Sequence, residues 1–189
     1  MKERDEDLIR QYLIGDEEAQ TMIFERYKTS VFNYALKILG NRADAEDALG
    51  EVFVAVFSRK YRFDVRAKFS TWLYTVAHNV CVSRIRQRGR FVSMWFKNEE
   101  TQEDEELEIP DSSVLPNEEF ENKEVARSVR QAIQKLPGEQ KEALILREFQ
   151  GLSYEEISRV LNCSLEKVKI LIYRAREGLR TSLAGVLKE

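Results

Sequence analysis

The sequence predicts an all-α chain of two small helical domains joined by an acidic flexible linker, the second of them a helix-turn-helix domain. Three observations carry this expectation. Apolar residues recur at steps of three and four through long stretches of the 189 residues, which is the period of amphipathic helices. A block rich in acids and carrying two prolines interrupts them. Beyond it, a Ser-x-x-Glu helix start, a short turn and a basic helix follow one another.

In the first domain, Ala19, Met22, Ile23, Tyr27, Val31, Tyr34, Ala35 and Ile38 mark a helix that Gly40-Asn41 closes. A second is expected from Asp44, where Ala45, Ala48, Leu49, Val52, Phe53, Val56 and Phe57 share a face and Asp44, Glu46 and Asp47 suit the positive helix end. A third is expected from about Ser70 to Arg86, with Phe69, Leu73, Val76, Ala77 and Val80 inward. These three helices make one domain, assigned to residues 1–97. The linker, 98–121, holds eleven acids and no Lys or Arg, and has too little apolar surface to offset the entropy of ordering.

The second domain, 122–189, opens with a helix carrying Val125, Val129, Ala132, Ile133 and Leu136, stopped by Pro137-Gly138. A helix from about Glu139 to Gln150 comes next and ends at Gly151. Ser153 and Glu156 then form a capping box for a short helix with Ile157, Val160 and Leu161. Asn162-Cys163-Ser164 makes the turn, and a long helix runs to about Leu183, with Val168, Ile172, Ala175 and Leu179 inward.

Composition narrows the function. One histidine and two cysteines, Cys81 and Cys163, supply neither a disulfide framework nor a usual zinc site, and a reducing, cytoplasmic setting is expected. No apolar stretch is long enough to span a membrane. No Gly-rich phosphate loop and no nucleophile motif is present, so neither catalysis nor a cofactor is expected. The net charge of −3 conceals a segregation: from Arg59 to Arg90, nine basic residues face the single acid Asp64. Such a block suits a polyanion. Tyr61, Phe63, Phe69, Trp72 and Tyr74 are interleaved with Arg62, Arg66 and Lys68, a combination in which cations follow phosphates and rings stack on unpaired bases. Thr71, Thr75, His78, Asn79 and Arg86 share the opposite face of the third helix, which core packing does not explain. Lys167, Lys169, Ile170, Tyr173 and Arg174 lie on the outward side of the last helix, where they could meet phosphates and base edges. A helix-turn-helix regulator with a sensing domain, or a helical adaptor that binds only proteins, would account for parts of this pattern, the regulator leaving the aromatic-basic block unexplained.

Three segments in order, Asp44 to Phe53, Phe69 to Asn79, and Gly151 to Ile157 followed by Val168-Lys169 and Tyr173 to Arg176, resemble the extracytoplasmic-function sigma factors of bacterial RNA polymerase. The resemblance implies a promoter-recognition subunit that binds core RNA polymerase, directs it to particular promoters and helps to open the duplex. It implies that Asp47, Glu51 and Val54 dock on polymerase. It assigns Arg62, Phe63, Lys68, Thr71, Trp72, Tyr74, Thr75, His78, Asn79 and Arg86 to the minus-ten element of promoter DNA. Ser164, Lys167, Lys169, Ile170, Tyr173 and Arg174 fall to the minus-thirty-five element. An anti-sigma partner is expected on the same ground. Gly50 stands where the family commonly has Gln. Asn162, Ser164, Glu166 and Lys167 replace the more usual Gly, Pro, Gly and Thr, and Ile170 and Leu171 replace polar or basic residues.

Overall fold

A computed structural model describes residues 4–58, 63, 68–87 and 121–184, the last segment without the side chains of 121–124. Among them every regular element is a helix. The first module holds α1 (Asp5–Leu13), α2 (Glu17–Leu39), α3 (Arg42–Phe57) and α4 (Phe69–Gln87), and the second holds α5 (Glu121–Gln134), α6 (Gly138–Glu148), α7 (Tyr154–Val160) and α8 (Leu165–Leu183).

Local chemistry accounts for most boundaries. The Asp16 carboxylate accepts from the N–H groups of Glu18 at 2.9 Å and Ala19 at 3.2 Å and so opens α2, which closes at Gly40 with φ 79°. Asn41 accepts from the N–H of Asp44 at 2.8 Å, so α3 begins two residues ahead of the expected Asp44. The capping box of α7 is formed in both directions: the Ser153 N–H donates to Glu156 Oε2 at 2.7 Å, and the Glu156 N–H donates to Ser153 Oγ at 3.2 Å. Asn162, in the turn that follows, holds a left-handed φ of 48°, a conformation that asparagine tolerates better than most side chains.

Helix α1 is an addition to the expected three of this module. Its first turn is acidic, with Asp5, Glu6 and Asp7, yet Leu8 and Ile9 are buried, and Asp5 accepts from both Arg26 and Tyr27 of α2. Glu6 also reaches the start of α4, accepting from the Phe69 N–H at 3.2 Å. This supplies from afar the cap that the sequence before Phe69 lacks.

Ile23, Tyr34, Phe69 and Leu73 are among the largest side chains fully buried in the first module, and Ile145, Leu146, Ile157 and Ile172 in the second. The modules meet along two seams, α4 against α7 and α2 against α6. At the second seam, Gln134 donates to the Lys37 carbonyl at 3.2 Å, and the Lys37 ammonium lies 4.6 Å from the centre of the Phe149 ring. Within the second module, a Cβ at Gly178 would come within 3.1 Å of Leu136 Cδ2, so the absence of a side chain lets α8 approach the end of α5.

Gly50 is different: it is exposed, and a Cβ there would meet nothing within 4 Å. Its cost is therefore the backbone entropy of a mid-helix glycine. Gly50→Ala is expected to raise stability by about 0.5 to 1 kcal/mol, read from urea denaturation. A loss of stability would show that the glycine serves a close approach.

Candidate nucleic-acid interface

The helix-turn-helix of α7, its turn and α8 presents a solvated face. Val168, Leu171, Ile172 and Ala175 are buried, while Lys167, Lys169, Ile170, Tyr173 and Arg174 are exposed, Ile170 by 50% and Tyr173 by 66%. Leu171, which stands where a polar residue is more usual, is thus part of the core. Ser164 is engaged locally: its hydroxyl caps α8 by accepting from the Lys167 N–H at 3.2 Å. The Lys167 ammonium pairs with Glu139 at 2.7 Å in an exposed bridge. Such pairs contribute about 0 to 1 kcal/mol, so the cation can exchange to another anion.

At the start of α4, Trp72 and the preceding Phe63 are half-buried about the fully buried Phe69, with ring centroids 5.3 Å apart for Phe63 to Trp72 and 5.6 Å for Phe63 to Phe69. Lys68, Asn79 and Arg86 are exposed. Arg62 lies outside the described residues, as do residues 59–61, 64–67 and 88–120, which include most of the basic block's first half and the linker up to residue 120.

The expected open polar face of α4 needs correction. Thr71 and Tyr74 are buried, Tyr74 with 3% exposure, and His78 is half-buried. A helical wheel considers one helix against its own domain, whereas here α6 and α7 of the other module cover that face. Tyr74 stacks edge-on against Tyr34 at 5.5 Å and donates to the side-chain carbonyl of Gln150. Its burial pushes the phenol up to about 12, so it stays a neutral donor. Thr75 donates to the Thr71 carbonyl at 2.9 Å, within the helix.

A third surface lies on α3, where Asp47 and Glu51 are exposed beside Val54, 68% exposed. The acids are not unpaired. Arg84, from α4, reaches Glu51, lies 3.3 Å from Asp47 Oδ2 and approaches the buried Asp44 at 4.0 Å. Glu51, most strongly through its hydrogen bond, and Asp47 hold the Arg84 guanidinium above its usual value. The sequence had offered Arg84 merely as one cation of a basic block, and nothing local ties it to acids more than thirty residues away.

Among the described residues no group of three or more His, Cys, Asp or Glu side chains is arranged to hold a metal ion, and no helix is long and apolar enough to cross a membrane.

Comparison with known proteins adds a second line of argument. Residues 23–91 match the family described as Sigma-70 region 2, and residues 126–179 that described as Sigma-70, region 4. The ECF RNA polymerase sigma factor SigW of Bacillus subtilis is 33% identical, over 93% of this chain and 94% of its own length. The RNA polymerase sigma-H factor of Pseudomonas aeruginosa is 30% identical, over 100% of this chain and 98% of its own. Among solved structures, CnrH in complex with the cytosolic domain of CnrY superposes with a TM-score of 0.69 at 22% identity, covering 97% of this chain and 99% of that one. The sigma factor RpoE, in complex with the anti-sigma factor NepR from Bartonella quintana, gives 0.66 at 21%, covering 87% and 96%.

Proposed function

The chain belongs to the ECF RNA polymerase sigma factor family, and from that premise we propose how its three surfaces divide the work of starting transcription. As a member it acts through core RNA polymerase and promoter DNA. In our reading the chain divides at 1–97, 98–121 and 122–189. The first domain carries polymerase and minus-ten contacts, and the last carries minus-thirty-five contacts. Asp47, Glu51 and Val54 on α3 dock on polymerase. Phe63, Lys68, Trp72, Asn79 and Arg86, with Arg62, engage the minus-ten element, joined by Thr71, Tyr74, Thr75 and His78 once their face is uncovered. Lys167, Lys169, Ile170, Tyr173 and Arg174 follow the minus-thirty-five element, while Ser164 sets the start of their helix. The chain itself performs no bond chemistry, works inside the cell and is restrained by an anti-sigma protein.

One observation carries this reading furthest: the face of α8 away from the core is solvated along its length and mixes three cations with Ile170 and Tyr173. Cations hold phosphates, and an exposed β-branched residue finds one prominent apolar feature in the major groove, the thymine methyl. The test is to add the protein to core polymerase on a genomic DNA library and sequence the transcript starts. Starts sharing a two-element sequence upstream are expected. No transcription above that of core polymerase alone would overturn the reading.

Ile170→Ser gives a finer check. Binding to the preferred promoter is expected to weaken by about 1 kcal/mol, within the range of a lost base contact, with little change on DNA whose contacted thymine is replaced by uracil. Equal losses on both DNAs in a filter-binding titration would assign Ile170 to packing.

A further inference from the structure

Asp47 and Glu51 stand one turn apart on α3, and like charges at that spacing repel. Both side chains are exposed, a setting in which polar groups sample several rotamers. Arg84 changes this from the neighbouring helix. One terminal nitrogen of its guanidinium lies 3.3 Å from Asp47 Oδ2 and the other donates to Glu51 Oε1, while the first also approaches the buried Asp44 at 4.0 Å. The Arg84 side chain is 17% exposed, more sheltered than either exposed acid. Its Nε is buried with no hydrogen-bond partner among the described residues, so the guanidinium is turned to the acids at the expense of its third donor group. Apolar packing already joins the two helices, with Ala48, Val52, Cys81 and Ile85 buried in one core, which leaves the fork to serve the surface.

A planar guanidinium meets two oxygens in a fixed geometry, so Asp47 and Glu51 are held side by side with the rest of each carboxylate open to solvent. Exposed Val54 continues the same stripe. We infer that Arg84 is a positioning residue for this surface: its fork sets Asp47 and Glu51 in the arrangement that a basic patch on core RNA polymerase meets, so that part of the polymerase affinity is built into α4. The inference rests on the reading of α3 as the docking face. Fixing the acids beforehand removes rotamer freedom that binding would otherwise have to freeze. The positive charge of Arg84 works the other way, because a basic partner repels it. That repulsion acts past two carboxylates and through solvent, where salt screens it over about 8 Å, whereas the ordering acts on the contacting groups themselves. Removing Arg84 thus has two consequences of opposite sign, and ordering is the larger.

The test is a titration of the labelled full-length protein against core polymerase with no DNA present, so that the role of α4 toward promoters does not enter. Arg84→Gln is expected to weaken binding about fivefold, the scale of one ordered side chain, although it makes the patch more acidic. Arg84→Lys keeps the charge but offers one ammonium in place of a fork, and should weaken binding about threefold. It also decides the matter if thermal unfolding shows that the Gln variant does not fold. In a background of Asp47→Asn with Glu51→Gln, adding Arg84→Gln should alter affinity by less than about twofold, since no carboxylates remain to be positioned. Unchanged or tighter binding of Arg84→Gln, or of Arg84→Lys where the Gln variant fails to fold, would overturn the inference. So would losses of equal size in the two backgrounds, which would make Arg84 a direct contact or a purely structural residue. The premise is read from the background alone. If Asp47→Asn with Glu51→Gln binds polymerase as the native chain does, the docking reading falls and the inference with it. If that background binds weakly while the Arg84 variants bind normally, the inference alone falls.

Discussion

Charge reversal of Asp47 and Glu51 together to Arg is expected to lower affinity for core RNA polymerase about 100-fold, since juxtaposed like charges across an interface cost several kcal/mol. The effect is amplified by Arg84. In the native chain its guanidinium bridges both acids; in the variant, three guanidinium groups crowd one patch, and the polymerase-facing surface changes from acidic to strongly basic. Folding should suffer much less. The acids themselves are solvated, Asp47 69% and Glu51 53% exposed, and the more buried Arg84 keeps Asp44 within reach. The measurement is a titration of labelled protein against core polymerase, with thermal unfolding as the check on the fold. An affinity within about threefold of the native value, with the fold intact, would remove α3 from the docking surface.

A stability effect of comparable size is expected at Lys141. It is 5% exposed, and burial pushes its ammonium down from 10.5 to about 8 despite the opposing charge of Glu142. Its hydrogen-bond acceptor is Gln134 Oε1 at 3.3 Å, a neutral group. The sign follows from proton binding. Below about pH 8 the lysine is charged in both folded and unfolded chains, and the folded protein bears the whole cost of burying it. Between about 8 and 10.5 the unfolded chain binds more protons, so stability rises with pH until the cost is relieved. The shift corresponds to on the order of 3 kcal/mol. Lys141→Met should therefore stabilise the protein at pH 7 by about 1 to 3 kcal/mol, less than the full shift because Gln134 loses a donor. It should also flatten the difference in stability between pH 7 and pH 10 relative to the native chain. Denaturant titrations of both proteins at the two pH values decide it; a destabilised variant with an unchanged pH slope would show that the ammonium is solvated or well paired.

Both predictions rest on partners that the sequence did not reveal, whereas the elements that position them were legible. The second domain was read almost residue by residue. Its capping box, the Asn162 turn and the inward residues of α8 each depend on groups within a few positions of one another, and hydrophobic period reports such groups directly. The outward placement of Lys169, Ile170, Tyr173 and Arg174 follows from the same period. So does the exposure of Val54 opposite the apolar stripe of α3.

What failed to show in the sequence has a common physical character. Helix α1 is short and begins with acids, and it is held by Asp5 and Glu6 reaching α2 and α4, more than twenty and more than sixty residues away. Arg84 joins α3 across a separation of 33 residues. Thr71 looked like part of a free polar face, and Tyr74 like a ring open to bases, because a wheel contains no neighbouring domain; their partners Glu156 and Gln150 lie 85 and 76 positions further along the chain.

By itself, then, the sequence determined that the chain is helical, where most helices start and stop, which family it resembles and which residues face outward on α8. Those outcomes follow from interactions within one or two helical turns and from the period of apolar side chains. Tertiary structure decided which polar groups are available for function, because a hydrogen bond or ion pair between distant segments leaves no periodic trace in the sequence. Whether Asp47 and Glu51 are paired, whether Lys141 is dry and whether α4 is covered were settled by packing between helices alone.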